Sequence, residues 1–183
     1  MKPTPNAVPS TLPQGAPPVR HYLQFADFTD PRGLTGLAAA QAAAEGVLGH
    51  ERTIERLARS ALGAAIVREA TTAPHWRELF VAVEVGGVVV EGYIDLLVRL
   101  PGRGLVVVDY KTDQLHGATE RATRLQRYGV QLATYGVALE RLLGEPVAGG
   151  VLVMCRPDQV ADEVAIEGWA ELSARLRRGL LGP

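Results

Sequence analysis

The chain has a single cysteine, Cys155, among its 183 residues. That excludes an internal disulfide framework and any four-cysteine zinc or iron–sulfur site, and it fits a reducing compartment. No apolar run approaches the ~20 residues that a membrane-spanning helix needs. The first stretch, MKPTPNAVPSTLPQGAPP, is proline-rich where a signal peptide would be apolar. The expectation is a cytoplasmic protein with no membrane partner. Basic charge is not in excess either: the formal net charge is −1, so grip on a polyanion must be local or borrowed from a partner. Internal repeats are absent.

What is present is enough apolar residue, 47%, to build a real core in one domain of ordinary size. Residues 1–18 read as a tail or linker, and residues 19–183 as a single folded domain. VRHYLQFADF (19–28) predicts a short helix ended by the TDPRG breaker. LAAAQAAAEGVLG and ERTIERLARSALGAAIVREA predict two or three helices, with Ile54, Leu57, Ala58, Ala61 and Leu62 on an inner face. Arg52, Arg56 and Arg59 then form a solvated face. RELFVAVEV, VVVEGYIDLLVRL and GLVVVDYKT are β-type runs joined by GG and PGRG, which predicts an antiparallel meander. Residues 119–144 predict a long amphipathic helix closed by Gly144 and Pro146. VAGGVLVMC predicts a buried strand and EGWAELSARLRRGLLG a last helix.

The stretch EGYIDLLVRLPGRGLVVVDYKTD (91–113) places Asp95 and Asp109 inside runs otherwise fit for a core, with Lys111 two residues after the second carboxylate. Strand side chains alternate, so Asp109 and Lys111 share a face, and Asp95 joins them only if the connection has an odd number of residues. A Gly102–Arg103–Gly104 loop supplies three and sets Asp95 opposite Lys111; the four residues PGRG would separate them. Two close carboxylates repel and raise a pKa unless a cation lies between them. Oxygen ligands on a rigid sheet suit Mg²⁺ or Mn²⁺, beside which a lysine can hold a water or neutralise charge on a phosphoryl group. The plainer reading makes both aspartates turn caps and the lysine a surface partner. On the next helix YGVQLATY aligns Tyr128, Gln131 and Tyr135; a tyrosine stripe is ordinary core, but the interposed Gln131 suits a phosphate or a water.

Taken in order, GYIDLL, VVVDYKTD and YGVQLATYGVAL resemble the nuclease domain at the C-terminal end of the RecB and AddA helicase–nuclease subunits, in the PD-(D/E)XK nuclease superfamily. The resemblance implies an α/β fold with an α-β-β-β-α-β core, a mixed central sheet flanked by helices and a helical insertion before the first strand. It implies DNA phosphodiester hydrolysis with Mg²⁺, or Mn²⁺, held by His21, Asp95, Asp109 and the main-chain carbonyl of Tyr110. Lys111 would stand at the attacking water, with Gln131 and Tyr135 positioning the strand. Glu78 matches a family glutamate entering the first strand, although GAPP before His21 departs from the family's helical lead-in. The iron–sulfur cysteines of some relatives are missing, so no such cluster is expected. No GxxxxGK(S/T) loop is present to power unwinding, so a helicase domain or partner subunit is the expected associate, delivering single-stranded DNA or ends. Arg121, Arg124 and Arg127 are candidates for a backbone track. Two other classes stay open: a catalytically degenerate nuclease-fold module for DNA binding or for assembly with a partner, and a metal-binding structural domain.

Overall fold

A computed structural model describes residues 19–113 and 117–181; the proline-rich segment 1–18 lies outside the described residues. In chain order the helices α1 (Arg20–Leu23), α2 (Leu34–Ala44), α3 (Glu51–Leu62) and α4 (Ala65–Ala70) precede β1 (His75–Val85), β2 (Val88–Leu100) and β3 (Gly104–Lys111). The helix α5 (Ala118–Leu143), strands β4 (Val147–Arg156) and β5 (Gln159–Ala165), and helix α6 (Trp169–Leu181) follow. The five strands form one mixed sheet in the order β1-β2-β3-β4-β5; β3 and β4 run parallel and every other pair antiparallel.

Two hydrophobic clusters lie on opposite faces of that sheet. Helices α1–α4 pack through Tyr22, Leu23, Ile54, Leu57, Ala61 and Val67 on Leu96, Val98, Val106, Val108 and Val153. Helix α5 packs through Leu132, Val137 and Leu139 on Ile94, Leu97, Leu105, Val107 and Leu152. Coverage on both sides explains why β3 is a continuous apolar run rather than an alternating one. β2 shows both regimes. Its first half is mostly exposed, with Val90 the one buried residue before Ile94, and from Ile94 to Val98 every residue is buried.

The face predicted for α3 is correct: Ile54, Leu57, Ala58 and Ala61 are buried, while Arg52, Arg56 and Arg59 are exposed. Helix α5 ends as read, with Gly144 in the left-handed region at φ 69° and its N–H donating to the Glu140 carbonyl. Three expectations are corrected. The first helix spans only Arg20–Leu23, because Asp27 takes the Thr29 and Asp30 N–H groups into a turn that leads to Pro31. A fifth strand, β5, follows β4 and pairs with it along the sheet edge; its short, mostly exposed QVADEVA gives only a weak apolar pattern. The β2–β3 connection has an odd length, but its three residues are Pro101, Gly102 and Arg103, since Leu100 pairs with Gly104.

That one-residue difference moves the site. The β2–β3 pairs run from Leu100–Gly104 to Leu96–Val108, so the next position sets Asp95 across from Asp109 rather than across from Lys111.

Candidate active site

The β2–β3 ladder stops at Leu96 and Val108, and a side chain takes over where the backbone pairing ends. Asp95 Oδ2 accepts the Tyr110 N–H at 2.8 Å. β2 therefore parts from β3 while β3 stays paired with β4 as far as Lys111–Met154. A carboxylate in this position satisfies a buried backbone donor and keeps its second oxygen for something else.

On the other side of Asp95, the β1–β2 ladder skips a rung. Pairs run up to Arg77–Leu96 and resume at Leu79–Ile94, leaving Glu78 and Asp95 on the interrupted step. Glu78 is the one non-glycine among the described residues with positive φ, at 47°, a conformation that costs energy and gathers at functional positions. Here the strands exchange faces. Leu96 and Val98 pack under α1–α4, whereas Leu79, Val81 and Ile94 pack under α5. The interruption thus brings Glu78 beside Asp95 in a place where strict alternation would have continued one face.

Arg20 joins these two carboxylates. Its guanidinium lies 3.5 Å from Asp95 Oδ1 through one nitrogen and 3.5 Å from Glu78 Oε1 through another. Helix α1 is too short to hold itself, and Arg77 fixes its end: it donates to the Leu23 and Ala26 carbonyls and lies 4.6 Å over the Phe28 ring. Across the site Lys111 Nζ stands 2.6 Å from Asp109 Oδ2 and 4.5 Å over the Tyr128 ring. Lys111 is thus the charged partner of the buried Asp109 Oδ2, and its pull favours the ionised carboxylate.

The electrostatics follow from burial. Asp95 is 4% and Asp109 6% exposed. Desolvation, then the charge of Asp109, push Asp95 from the ordinary 3.8 up to about 8. Asp109 is also raised by burial, against the opposing pull of Lys111 and Arg20. Glu78 is raised by burial, with Arg20 and His21 holding it down. Two carboxylates in one dry corner resist ionising together, and a cation between them would relieve both.

The sequence-predicted residues fall into three groups. Asp95, Asp109, Lys111 and the Tyr110 backbone meet at the strand divergence, with Glu78 beside them. His21 lies on α1 next to Arg20 and acts on Glu78 through its charge. Tyr128, Gln131 and Tyr135 line one face of α5 but do different things. Tyr128 donates to Asp113 Oδ2 at 2.7 Å and stacks on Lys111. Tyr135 reaches β2, where a Cβ at Gly92 would collide with its hydroxyl; Gln131 is half-buried between them. Of the three arginines proposed as a backbone track, Arg121 and Arg127 are exposed, whereas Arg124 is held by Asp113 and Glu120, each at 3.4 Å.

Sequence reasoning missed Arg20 and Asp113. Arg20 immediately precedes the histidine singled out in VRHYLQ, and nothing in a four-residue helix tells which of two neighbouring basic residues turns inward. Asp113 follows Lys111 by two in DYKTD, and that spacing was the available signal.

Among the described residues no three His, Cys, Asp or Glu side chains are gathered as a ready-made ligand cluster. The donors still fit a hard divalent ion: two buried carboxylates whose ionisation burial and mutual repulsion oppose, which a cation between them would relieve. No helix among the described residues is long and apolar enough to cross a membrane.

Comparison with known proteins bears on the family and the fold. The profile of the PD-(D/E)XK nuclease superfamily matches residues 22–178. A segment of 70 residues is 34% identical to the A subunit of an ATP-dependent helicase/nuclease of Levilactobacillus brevis, covering 37% of this chain and 6% of that protein. Its counterpart from Desulfitobacterium hafniense is 45% identical over 62 residues, 33% of this chain and 4% of its own length. The chain thus matches only a small fraction of these relatives. In fold it is similar to the crystal structure of a presumptive exonuclease from Eubacterium rectale, with a TM-score of 0.54, 12% identity, and coverage of 88% of this chain and 62% of that one.

Proposed function

The chain belongs to the PD-(D/E)XK nuclease superfamily, and from that premise we propose that it is a divalent-metal-dependent deoxyribonuclease that hydrolyses phosphodiesters at the divergence of β2 and β3. The observation that carries this reading is the buried pair Asp95 and Asp109 with Lys111 2.6 Å from the second carboxylate. Asp95 and Asp109, with His21 and the Tyr110 carbonyl completing the set, would hold Mg²⁺ or Mn²⁺, which polarises a phosphoryl oxygen and acidifies water.

The chain's own groups do the rest. Asp95 is oriented by the Tyr110 N–H, so its remaining oxygen is aimed rather than free to rotate. Lys111, steadied over the Tyr128 ring, places a positive charge where the attacking water and the pentavalent phosphorus develop negative charge, in a site dry enough for that charge to count. Arg20 offers a second cation, weakly held at 3.5 Å from its carboxylates, and can turn to a phosphate oxygen. Gln131 and Tyr135 would position the scissile phosphate from the α5 side of the site.

The biological setting we propose is DNA end processing in double-strand break repair and recombination, together with a helicase domain or partner subunit. Support comes from the helicase/nuclease proteins that the chain resembles and from its lack of a nucleotide-binding loop. A net charge of −1 fits a nuclease that is fed its strand instead of capturing it. A catalytically degenerate module for DNA binding or for assembly with a partner is favoured by one observation, the Arg20 guanidinium standing near Asp95 where a metal would otherwise bring the charge.

Labelled single-stranded DNA incubated with the protein in Mg²⁺ or Mn²⁺, with EDTA and Asp109→Ala as controls, separates the two. Metal-dependent cleavage lost in Asp109→Ala establishes the enzyme. Binding with no cleavage in either metal establishes the module.

A further inference from the structure

The hairpin of β1 and β2 runs past the active site, and one of its faces has no helix over it among the described residues. Beyond the interrupted Glu78–Asp95 rung, Leu79, Val81 and Ile94 turn to the α5 core, which leaves Phe80 and Tyr93 on the other side. These two are cross-strand partners. Their ring centroids lie 5.1 Å apart at 52°, and they are 54% and 49% exposed. An aromatic pair of this kind is an expensive use of an open sheet face, since apolar area this size is normally buried.

Position gives the pair its meaning. Phe80 is two residues beyond Glu78 and Tyr93 two residues before Asp95, a displacement of about 7 Å along the strands, one nucleotide of an extended strand. Ala82, the next residue on that face of β1, is exposed and too small to shield the rings. Further out, the same face carries Glu84, Glu91 and the small aliphatic Val89, all exposed, and the two carboxylates repel a phosphodiester backbone. The platform is therefore short: bounded by Glu78 and Asp95 at one end and by glutamates at the other, it has room for one base.

We propose that Phe80 and Tyr93 form a stacking platform for one unpaired nucleobase next to the scissile phosphate, so that the enzyme selects single-stranded or frayed ends. This rests on the nuclease reading above and names how that site recognises its substrate. Aromatic rings accept any base, so the preference is for an unstacked base and is tolerant of sequence. A base within a duplex has both faces covered by its neighbours and is a poor occupant.

The test uses the full chain in EDTA, so that binding is read without cleavage, and two oligonucleotides of equal length and charge: a 2-aminopurine-containing single strand and its abasic counterpart. The base-bearing strand should bind about tenfold or more tightly, the scale of one stacked base, with quenching of the 2-aminopurine fluorescence. Phe80→Ile with Tyr93→Val keeps strand-favouring side chains and removes both π faces. It should erase the preference and, in Mg²⁺, raise KM for single-stranded DNA about tenfold while kcat stays within about twofold. If the wild type binds the two strands equally, or the variant keeps the preference, the platform is wrong. A wild type that cleaves DNA but ignores its bases overturns the platform and leaves the nuclease standing. One that prefers bases but cleaves in neither metal leaves the platform standing and overturns the nuclease. Since the abasic comparison needs only the wild type, misfolding of the variant would not protect the proposal.

Discussion

The two ends of the β2–β3 pair have nearly the same raw material and opposite roles. At the hairpin end, Leu96–Val108 to Leu100–Gly104 form an unbroken ladder with apolar residues on both faces. At the other end the same strands part, and the positions that would have continued the ladder hold Asp95 and Asp109. Paired backbone needs no further partner and supports the core. Unpaired backbone inside a covered sheet must find one, and here the Asp95 carboxylate fills that need through one oxygen while the other faces Arg20. Core packing and the proposed chemistry thus lie at opposite ends of one hairpin.

The sharpest way to break this contrast is to delete the carboxylates. Asp109→Ala and Asp95→Ala should each lower metal-dependent cleavage by about 10³-fold or more, the scale of removing a preorganised electrostatic group, while circular dichroism and the thermal midpoint show a folded protein. Activity near wild type in Asp109→Ala would move the site elsewhere. Lys111→Ala should cost about 10²-fold in kcat and still bind metal by calorimetry; loss of metal binding would mean that the lysine supports the carboxylates and does not act on the reaction.

At the paired end the expectation reverses. Leu96→Ala removes a fully buried side chain and should lower unfolding free energy by about 2–5 kcal/mol, with kcat little changed in the fraction that remains folded. An equal loss of kcat would show that the two ends are not separable. The smallest effect is on pH. Because Asp95 is raised from 3.8 to about 8, the folded protein keeps a proton across that interval which the unfolded chain has released. The contribution of Asp95 to metal-free stability is therefore full below about pH 4 and declines toward pH 8. In EDTA, Asp95→Asn should flatten that decline in urea midpoints; identical slopes for the two proteins would show that Asp95 titrates normally.

Much of this arrangement was legible in the amino-acid order. Strand alternation showed that Asp95 could join the pair only across an odd β2–β3 connection, and Asp109 with Lys111 on one face needed only a period of two. Helix α5 was bounded by Gly144 and Pro146. What was misread came from places where local pattern is weak. PGRG offers two three-residue loops of similar composition, and choosing Gly102–Arg103–Gly104 over Pro101–Gly102–Arg103 set Asp95 opposite Lys111 in place of Asp109. β5 is mostly exposed, so it lacks the burial that makes a strand visible in sequence.

The sequence by itself determined that two carboxylates and a lysine lie in apolar strands, because hydrophobic periodicity is local and reports burial directly. Only the tertiary structure decided which groups meet there. Arg20 comes from 75 residues away to reach Asp95, Arg77 ties down the short helix that carries it, and Glu78 takes a positive φ to bring its carboxylate to the same corner. Those contacts depend on how distant segments pack and on where a ladder breaks, and neither is encoded in the spacing of residues along any one strand.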